Sequence, residues 1–258
     1  MGRKRLAMQL SRWITAARPR TLSLSVAPVI VGTALAWAME RRANWPAVGA
    51  AIVASAFIQI GTNLHNDAAD YKRGGDGPDR IGPPRATASG LLDGTMVNRA
   101  ACGCFAVAAV MGIYLIWVGG WPIFLLGLAS ILSGWAYTGG PLPIAYTPIG
   151  ELFVIAFFGV GAVCGTYWLN VHKLSASALV ASLAVGCLTG AVLLVNNTLA
   201  QMLPTGHVWP ALTVLPLAGL LIYRFAHETA GREFNRILVQ TVVLQSLFCF
   251  LLSLGLVS

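Results

Sequence analysis

Long apolar runs separated by short polar stretches dominate this chain. The runs are unbroken and do not show the strict alternation typical of membrane β-strands, so they favour helices. We predict eight membrane-spanning helices, near residues 22–39, 46–64, 100–118, 121–137, 149–169, 176–195, 208–223 and 237–257. Because backbone polar groups in lipid must pair internally, we expect one all-α transmembrane bundle that forms a single domain over residues 1–258.

Composition supports a membrane protein. Hydrophobic residues make up 57% of the chain and charged residues only 10%, which is far from the balance of a soluble domain. The net charge of +8 does not indicate nucleic-acid binding, because the basic residues cluster at the ends of apolar runs. The five cysteines all fall within predicted spans and lack CxxC spacing, so we expect packing residues rather than disulfides or a zinc site.

The distribution of Lys and Arg predicts an orientation. Basic residues concentrate before the first span and between spans two and three. Because basic residues prefer the cytoplasmic side of a membrane, we predict a protein of the inner membrane with its N-terminus and the loop at 65–99 in the cytoplasm. Counting the predicted spans places the loop with Arg224, Arg232 and Arg236 on the outer side of the membrane, although basic loops prefer the cytoplasmic side. One more crossing near 197–207 would restore the pattern, but that stretch is too short to span a bilayer.

The end of the second apolar run carries the most informative polar residues. On a helix Asn63, Asp67 and Asp70 share one face, as do Asn66 and Asp70. Magnesium prefers oxygen ligands and is usually held by one or two carboxylates, with phosphates and waters completing its shell. Two or three Asp residues at this spacing suit that task, so we predict a Mg²⁺ site that includes Asp67 and Asp70.

Cations follow the acidic residues. Lys72, Arg73, Arg80 and Arg85 are suited to contact diphosphate oxygens. Two alternatives remain open on spacing alone: a solvated loop in which acids and bases pair, and a transporter with an acidic ion site. Carboxylates at the end of an apolar helix are costly and tend to mark function. We expect His65, within the same segment, to be a structural hydrogen-bonding group.

Several stretches of the sequence resemble one enzyme family. They are Asn66-Asp67-Ala68-Ala69-Asp70 with Asp76, and the segments at 17–22, 27–29, 82–91, 137–143 and 150–154. Together they resemble the UbiA-type prenyltransferases, most narrowly the branch of menaquinone biosynthesis that uses 1,4-dihydroxy-2-naphthoate. The resemblance covers roughly residues 13–197 and resumes near 205.

The resemblance implies nine helices around a cavity open to lipid. It also implies Mg²⁺-dependent transfer of a polyprenyl group from a polyprenyl diphosphate to an aromatic acceptor, here dihydroxynaphthoate. The resemblance implies metal ligation by Asn66, Asp67, Asp70 and Asp76. We predict catalytic roles for four residues, Asp67, Asp70, Lys72 and Tyr137. We predict substrate binding by Arg20, Asn63, Arg73, Arg85, Asn196 and Asn197.

The sequence departs from the family pattern at one place. The family has a second Asp-rich motif, Arg-Asp-x-x-x-Asp, after an Asn-Asn pair, but here Asn196-Asn197 passes directly to Thr198-Leu199-Ala200 and no Asp follows Asp93. The gap falls where the charge pattern also requires another crossing. Two hypotheses follow beside the transporter: an active prenyltransferase, and a catalytically impaired remnant that keeps the fold.

Overall fold

The structure is a computed structural model that describes residues 2–74, 85–139 and 150–202, without the side chains of residues 2–9, 20, 151 and 191–202. Throughout these ranges the chain is helical or forms connecting turns, without any strand. The helices are α1 (Gly2–Ala17), α2 (Pro19–Glu40), α3 (Trp45–Lys72), α4 (Gly94–Gly119), α5 (Trp121–Ala136), α6 (Gly150–Val154), a π-helical segment (Ile155–Cys164), α7 (Gly165–Val171) and α8 (Ala176–Met202). The predicted all-α class is confirmed.

Four helical stretches among the described residues are long and apolar enough to cross a membrane, namely Thr21–Glu40, Trp45–Lys72, Gly94–Gly119 and Leu152–Val171. The last of these combines α6, the π-helical segment and α7 into one continuous helix. The predicted spans at 121–137 and 176–195 fall on α5 and α8, where the apolar helical stretches, Trp121–Ala136 and Ala176–Gly190, are shorter than the four candidate spans. The spans predicted at 208–223 and 237–257 lie outside the described residues, so the total of eight stays a prediction.

Helix α3 runs further than its apolar stretch. It continues to Lys72 instead of ending near residue 64, and α4 begins at Gly94, so the predicted loop at 65–99 is a shorter connection. Residues 65–72 contain no Gly or Pro, and the alanines Ala68 and Ala69 are strong helix formers. The helix therefore continues after its apolar stretch ends, and the acidic residues lie on its last turns.

Small residues allow the helices to approach closely. A Cβ atom at Gly159 of the π-helical segment would lie 2.5 Å from the Ser182 carbonyl oxygen of α8 and 2.6 Å from the Gly186 Cα atom. A Cβ atom at Gly32 of α2 would lie 2.5 Å from the Val163 carbonyl oxygen. Such backbone-to-backbone packing is typical of membrane helices, because lipid provides no hydrophobic drive for association.

The outside of the bundle is apolar. Trp117 is 81% exposed and Ile113 is 68% exposed, both on α4. Several buried positions, in contrast, carry polar side chains such as Thr33, Ser182 and Thr189. Large apolar groups outside and small or polar groups inside are expected where the surrounding solvent is lipid.

Candidate functional site

The candidate site lies at the end of the bundle where α3 and α5 terminate and α2 and α4 begin. Four polar side chains on the last turns of α3 are buried there. Asn63 is 4% exposed, Asn66 8%, Asp67 2% and Asp70 5%. Burial of two carboxylates so close together is costly unless each has hydrogen-bond donors or cations as partners.

Asp67 is held by main-chain amides. Its Oδ2 atom accepts a hydrogen bond from the Ala86 N–H at 3.1 Å, and its Oδ1 atom accepts one from the Thr87 N–H at 3.3 Å. Ala86 is 1% exposed and packs in an apolar cluster with Leu64 and Val97. The segment after Arg85 is therefore docked on α3 by both polar and apolar contacts.

Asp70 forms a buried ion pair with Arg85. The Arg85 Nη2 atom donates to Asp70 Oδ2 at 2.5 Å, and the side chains are 8% and 7% exposed. Asp70 lies in the last turn of α3, where the helix dipole presents its negative end. A cation at this position therefore relieves both the charge of the carboxylate and the partial charge of the helix terminus.

Thr138 joins the end of α5 to the end of α3. Its hydroxyl donates to the Asn66 Oδ1 atom, and its carbonyl accepts from the Arg73 guanidinium. Thr138 is 4% exposed. Tyr137 directly precedes it and is half-buried, so the structure brings Asn66, Arg73 and the backbone of Tyr137 to one place.

Asn63 links α3 to the junction between α1 and α2. Its Nδ2 atom donates to the Ala17 carbonyl at 2.9 Å and to the Thr21 hydroxyl at 2.9 Å. Gln59 Nε2 donates in turn to Asn63 Oδ1 at 3.2 Å. The amide is thus used within the protein, and its predicted contact with substrate stays a prediction.

His65 lies on a different face of α3 from the acidic residues. Its Nδ1 atom is 3.0 Å from Asn98 Oδ1 of α4, and its ring stacks on Trp135 of α5 with centroids 5.9 Å apart. A Cβ atom at Gly139 would meet the His65 ring and lie 2.6 Å from the Trp135 carbonyl oxygen, so the close packing here favours glycine. These contacts agree with the expectation that His65 is a structural hydrogen-bonding group.

The remaining predicted site residues are placed less completely. Lys72 is exposed at the end of α3. The backbones of Arg20, Asn196 and Asn197 lie within α2 and α8, but their side chains are outside the description. Asp76 falls outside the described residues.

The donor set can be compared with the needs of a metal. Among the described residues no group of three or more His, Cys, Asp or Glu side chains could hold an ion. The cluster offers the Asp70 carboxylate and the Asn66 amide oxygen, which are hard donors of the kind that Mg²⁺ uses together with phosphate and water. The residues present are therefore suited to bind Mg²⁺ together with the phosphate oxygens of a substrate.

Sequence reasoning did not identify Thr138, Thr21 or the amides of Ala86 and Thr87 as partners of the cluster. All of them are distant in the chain from α3, so helical periodicity carries no signal for them. Thr138 does lie within the segment at 137–143 that supported the family resemblance, and Ala86 and Thr87 lie within the segment at 82–91. Their position in those segments was the only sequence signal that these residues belong to the site.

A family model, the UbiA prenyltransferase family, matches residues 25–202. The chain belongs to this family. The matched range takes in most of α2, the whole of α3 with its acidic cluster, Arg85, Thr138 and α8 to its end. The resemblance predicted from the motifs is thereby confirmed.

This UbiA chain is similar to several named relatives. It is 37% identical over 187 residues to 1,4-dihydroxy-2-naphthoate octaprenyltransferase of Mycobacterium tuberculosis, covering 72% of this chain and 63% of the relative. It is 35% identical to the Escherichia coli protein of the same name, covering 73% and 64%. It is 25% identical to 2-carboxy-1,4-naphthoquinone phytyltransferase of Synechocystis, covering 72% and 59%. The match thus spans somewhat less than two thirds of each relative's length.

Proposed function

We propose that this protein transfers a polyprenyl group from a polyprenyl diphosphate to 1,4-dihydroxy-2-naphthoate in menaquinone biosynthesis. The observation that carries the proposal is the buried cluster of Asn66, Asp67, Asp70 and Arg85 at one end of an apolar bundle, in a chain of the UbiA family. The names of its relatives at 35–37% identity support the naphthoate acceptor. A transporter accounts for the bundle but not for this likeness.

The sequence predicted four metal ligands, Asn66, Asp67, Asp70 and Asp76. We retain Asn66, Asp70 and Asp76 as the proposed ligands, because both oxygens of Asp67 accept main-chain N–H groups. Mg²⁺ bound there would withdraw charge from the diphosphate and make it a better leaving group. Asp67 adds a second negative charge to the cluster. Asp70 also pairs with Arg85 through its Oδ2 atom, so a metal ion at Asp70 and this guanidinium would share one carboxylate.

Arg85 and Arg73 are the proposed diphosphate contacts, with Lys72 at the exposed end of α3 as a further cation. Guanidinium groups suit phosphate because their planar N–H groups can donate to two oxygens at once. Arg20, Asn63, Asn196 and Asn197 are proposed to complete the substrate-binding surface.

The reaction breaks the allylic C–O bond of the donor and forms a C–C bond to the ring, with the diphosphate as leaving group and loss of the ring carboxylate as CO₂. The face of Tyr137 is proposed to stabilise the cationic prenyl group, as aromatic faces do for cations. The surrounding apolar helices exclude water that would otherwise capture this group.

We place the protein in the inner cell membrane, with the N-terminus and the connection between α3 and α4 in the cytoplasm. The basic residues near both segments support this orientation. It puts the cluster on the side where a water-soluble diphosphate head group and naphthoate are supplied.

Product identity tests the proposal. The purified full chain in lipid nanodiscs receives Mg²⁺, a polyprenyl diphosphate and dihydroxynaphthoate, and the products are analysed by mass spectrometry. We expect a prenylated, decarboxylated naphthoquinol. A monocyclic hydroxybenzoate serves as the control acceptor and is expected to give no more than trace product. Prenylation of the hydroxybenzoate in preference to the naphthoate would refute the proposed acceptor.

A second candidate is a family member that binds the diphosphate but turns over poorly. The passage from Asn197 directly to Thr198, without the second Asp-rich motif, favours it. The same assay separates the two, because an impaired protein binds polyprenyl diphosphate in the presence of Mg²⁺ but forms no more product than its Asp70→Asn variant.

A further inference from the structure

Asp67 and Asp70 have the same side-chain chemistry but different partners. Asp67 is 2% exposed, and each of its oxygens accepts a main-chain N–H, from Ala86 at 3.1 Å and from Thr87 at 3.3 Å. Asp70 instead faces the side chain of Arg85. The Asp67 carboxylate therefore binds main-chain amides, and the Asp70 carboxylate binds a charged side chain.

These contacts align a three-residue segment with α3. Arg85 meets Asp70, while Ala86 and Thr87 meet Asp67 one turn earlier on the same helix. Residues 85–87 thus run antiparallel to the last turn of α3. Fixing two consecutive amides fixes the backbone that leads into Arg85, and so the direction from which its side chain approaches Asp70.

The surrounding packing reinforces this docking. Ala86 is buried against Ala68 and Val97, and a Cβ atom at Gly94 would lie 3.1 Å from the Thr87 Cγ2 atom. The Ala86 carbonyl also accepts from the Leu91 N–H at 2.9 Å, which closes the turn. Ala86 is 1% exposed, and each of the two amides meets a different oxygen of the Asp67 carboxylate.

We propose that Asp67 is a positioning residue: its carboxylate fixes the backbone of Ala86 and Thr87 so that Arg85 is presented to Asp70, and it does not ligate the metal. The inference rests on the proposed function for the role of Arg85 toward diphosphate. The geometric part, the docking of residues 85–87 by Asp67, is independent of substrate.

Amide hydrogen exchange of the full chain in nanodiscs, without metal or substrate, tests the geometric part. Exchange at single-residue resolution should be slower at Ala86 and Thr87 than at the exposed Ala88. In Asp67→Asn, which keeps the shape but loses one acceptor and the charge, exchange at Ala86 or Thr87 should rise about tenfold or more. The matched variant Asp70→Asn, one turn away, should leave both amides protected.

Binding of Mn²⁺ alone, followed by electron paramagnetic resonance, tests the metal part. We expect Asp70→Asn to weaken Mn²⁺ binding about tenfold or more and Asp67→Asn to change it less than about threefold. Glu40→Gln, which removes a carboxylate at the opposite end of the bundle, should bind Mn²⁺ like the wild type.

Three results would overturn the inference. One is wild-type exchange at Ala86 and Thr87 as fast as at Ala88, which needs no variant to fold. Another is unchanged exchange in a folded Asp67→Asn protein. The last is a loss of Mn²⁺ binding in Asp67→Asn equal to that in Asp70→Asn. A wild type that binds no Mn²⁺ would instead refute the metal site of the proposed function, while the exchange result would still decide the role of Asp67.

Discussion

At the scale of single residues, the cluster is shaped by the need to compensate buried charge. Asp70 lies at the negative end of the α3 dipole, so a nearby cation stabilises its buried carboxylate. Arg85 supplies one, and both side chains are less than a tenth exposed. Helical periodicity was sufficient to predict that the acids and amides share a face of α3. It could not predict their partners, because Arg85 and Thr138 reach the cluster through tertiary folding.

Removing Arg85 should destabilise the fold through its partner. Arg85→Ala leaves the Asp70 carboxylate buried without this cation and should cost about 3–5 kcal/mol. Asp70→Ala in the same protein should recover much of that loss, because the uncompensated charge is gone. Thermal unfolding of the single and double variants in detergent measures the coupling. Additivity of the two single effects to within about 0.5 kcal/mol would show that the pair does not interact.

Thr138 should matter through its hydroxyl. Thr138→Val keeps the shape of the side chain but removes the donor to Asn66, so a buried acceptor loses its partner at a cost of about 1–3 kcal/mol. We also expect a higher Mg²⁺ concentration for half-maximal diphosphate release, since Asn66 is then less well oriented. Thr138→Ser restores a hydroxyl and should return the Mg²⁺ dependence toward that of the wild type. Equal behaviour of the Val and Ser variants would contradict this role.

At the scale of helices, two features lay beyond the hydropathy pattern. α3 extends to Lys72 because helix-forming residues continue after the apolar ones stop, and this extension makes the acidic cluster part of a rigid element. The π-helical segment Ile155–Cys164 was also not predicted, because its sequence is as apolar as that of an ordinary span. Its close packing on α8 depends on glycines, whose role appears only when both helices are seen together.

The glycine contact predicts a position-specific effect of alanine. Gly159→Ala places a Cβ atom against the backbone of Ser182 and Gly186, so the helices must separate, at a cost of about 1–3 kcal/mol. Gly127→Ala in α5 meets nothing within 4 Å and should be neutral or stabilising by up to about 1 kcal/mol, through helix propensity. Melting temperatures of the two variants in the same detergent compare them. A Gly159→Ala protein as stable as Gly127→Ala would argue against the close approach.

At the scale of the whole molecule, hydropathy predicted the fold class and the motifs predicted the family. Hydropathy predicted the all-α membrane class, because a bilayer demands long apolar helices whatever their function. The family came from short polar segments at the helix ends, which the match over residues 25–202 confirms. The second Asp-rich motif that the family resemblance led us to expect is absent from the sequence, because no Asp follows Asp93.

The central claim is that the cluster at the end of α3 binds a metal-bound diphosphate and promotes its departure. The most direct measurement is the rate of diphosphate release from a polyprenyl diphosphate in the presence of dihydroxynaphthoate, compared among the wild type, Asp70→Asn and Glu40→Gln. The claim predicts release by the wild type and Glu40→Gln that EDTA abolishes, and none by Asp70→Asn above the EDTA background. Equal release by the wild type and Asp70→Asn, or release that persists in EDTA, would contradict it.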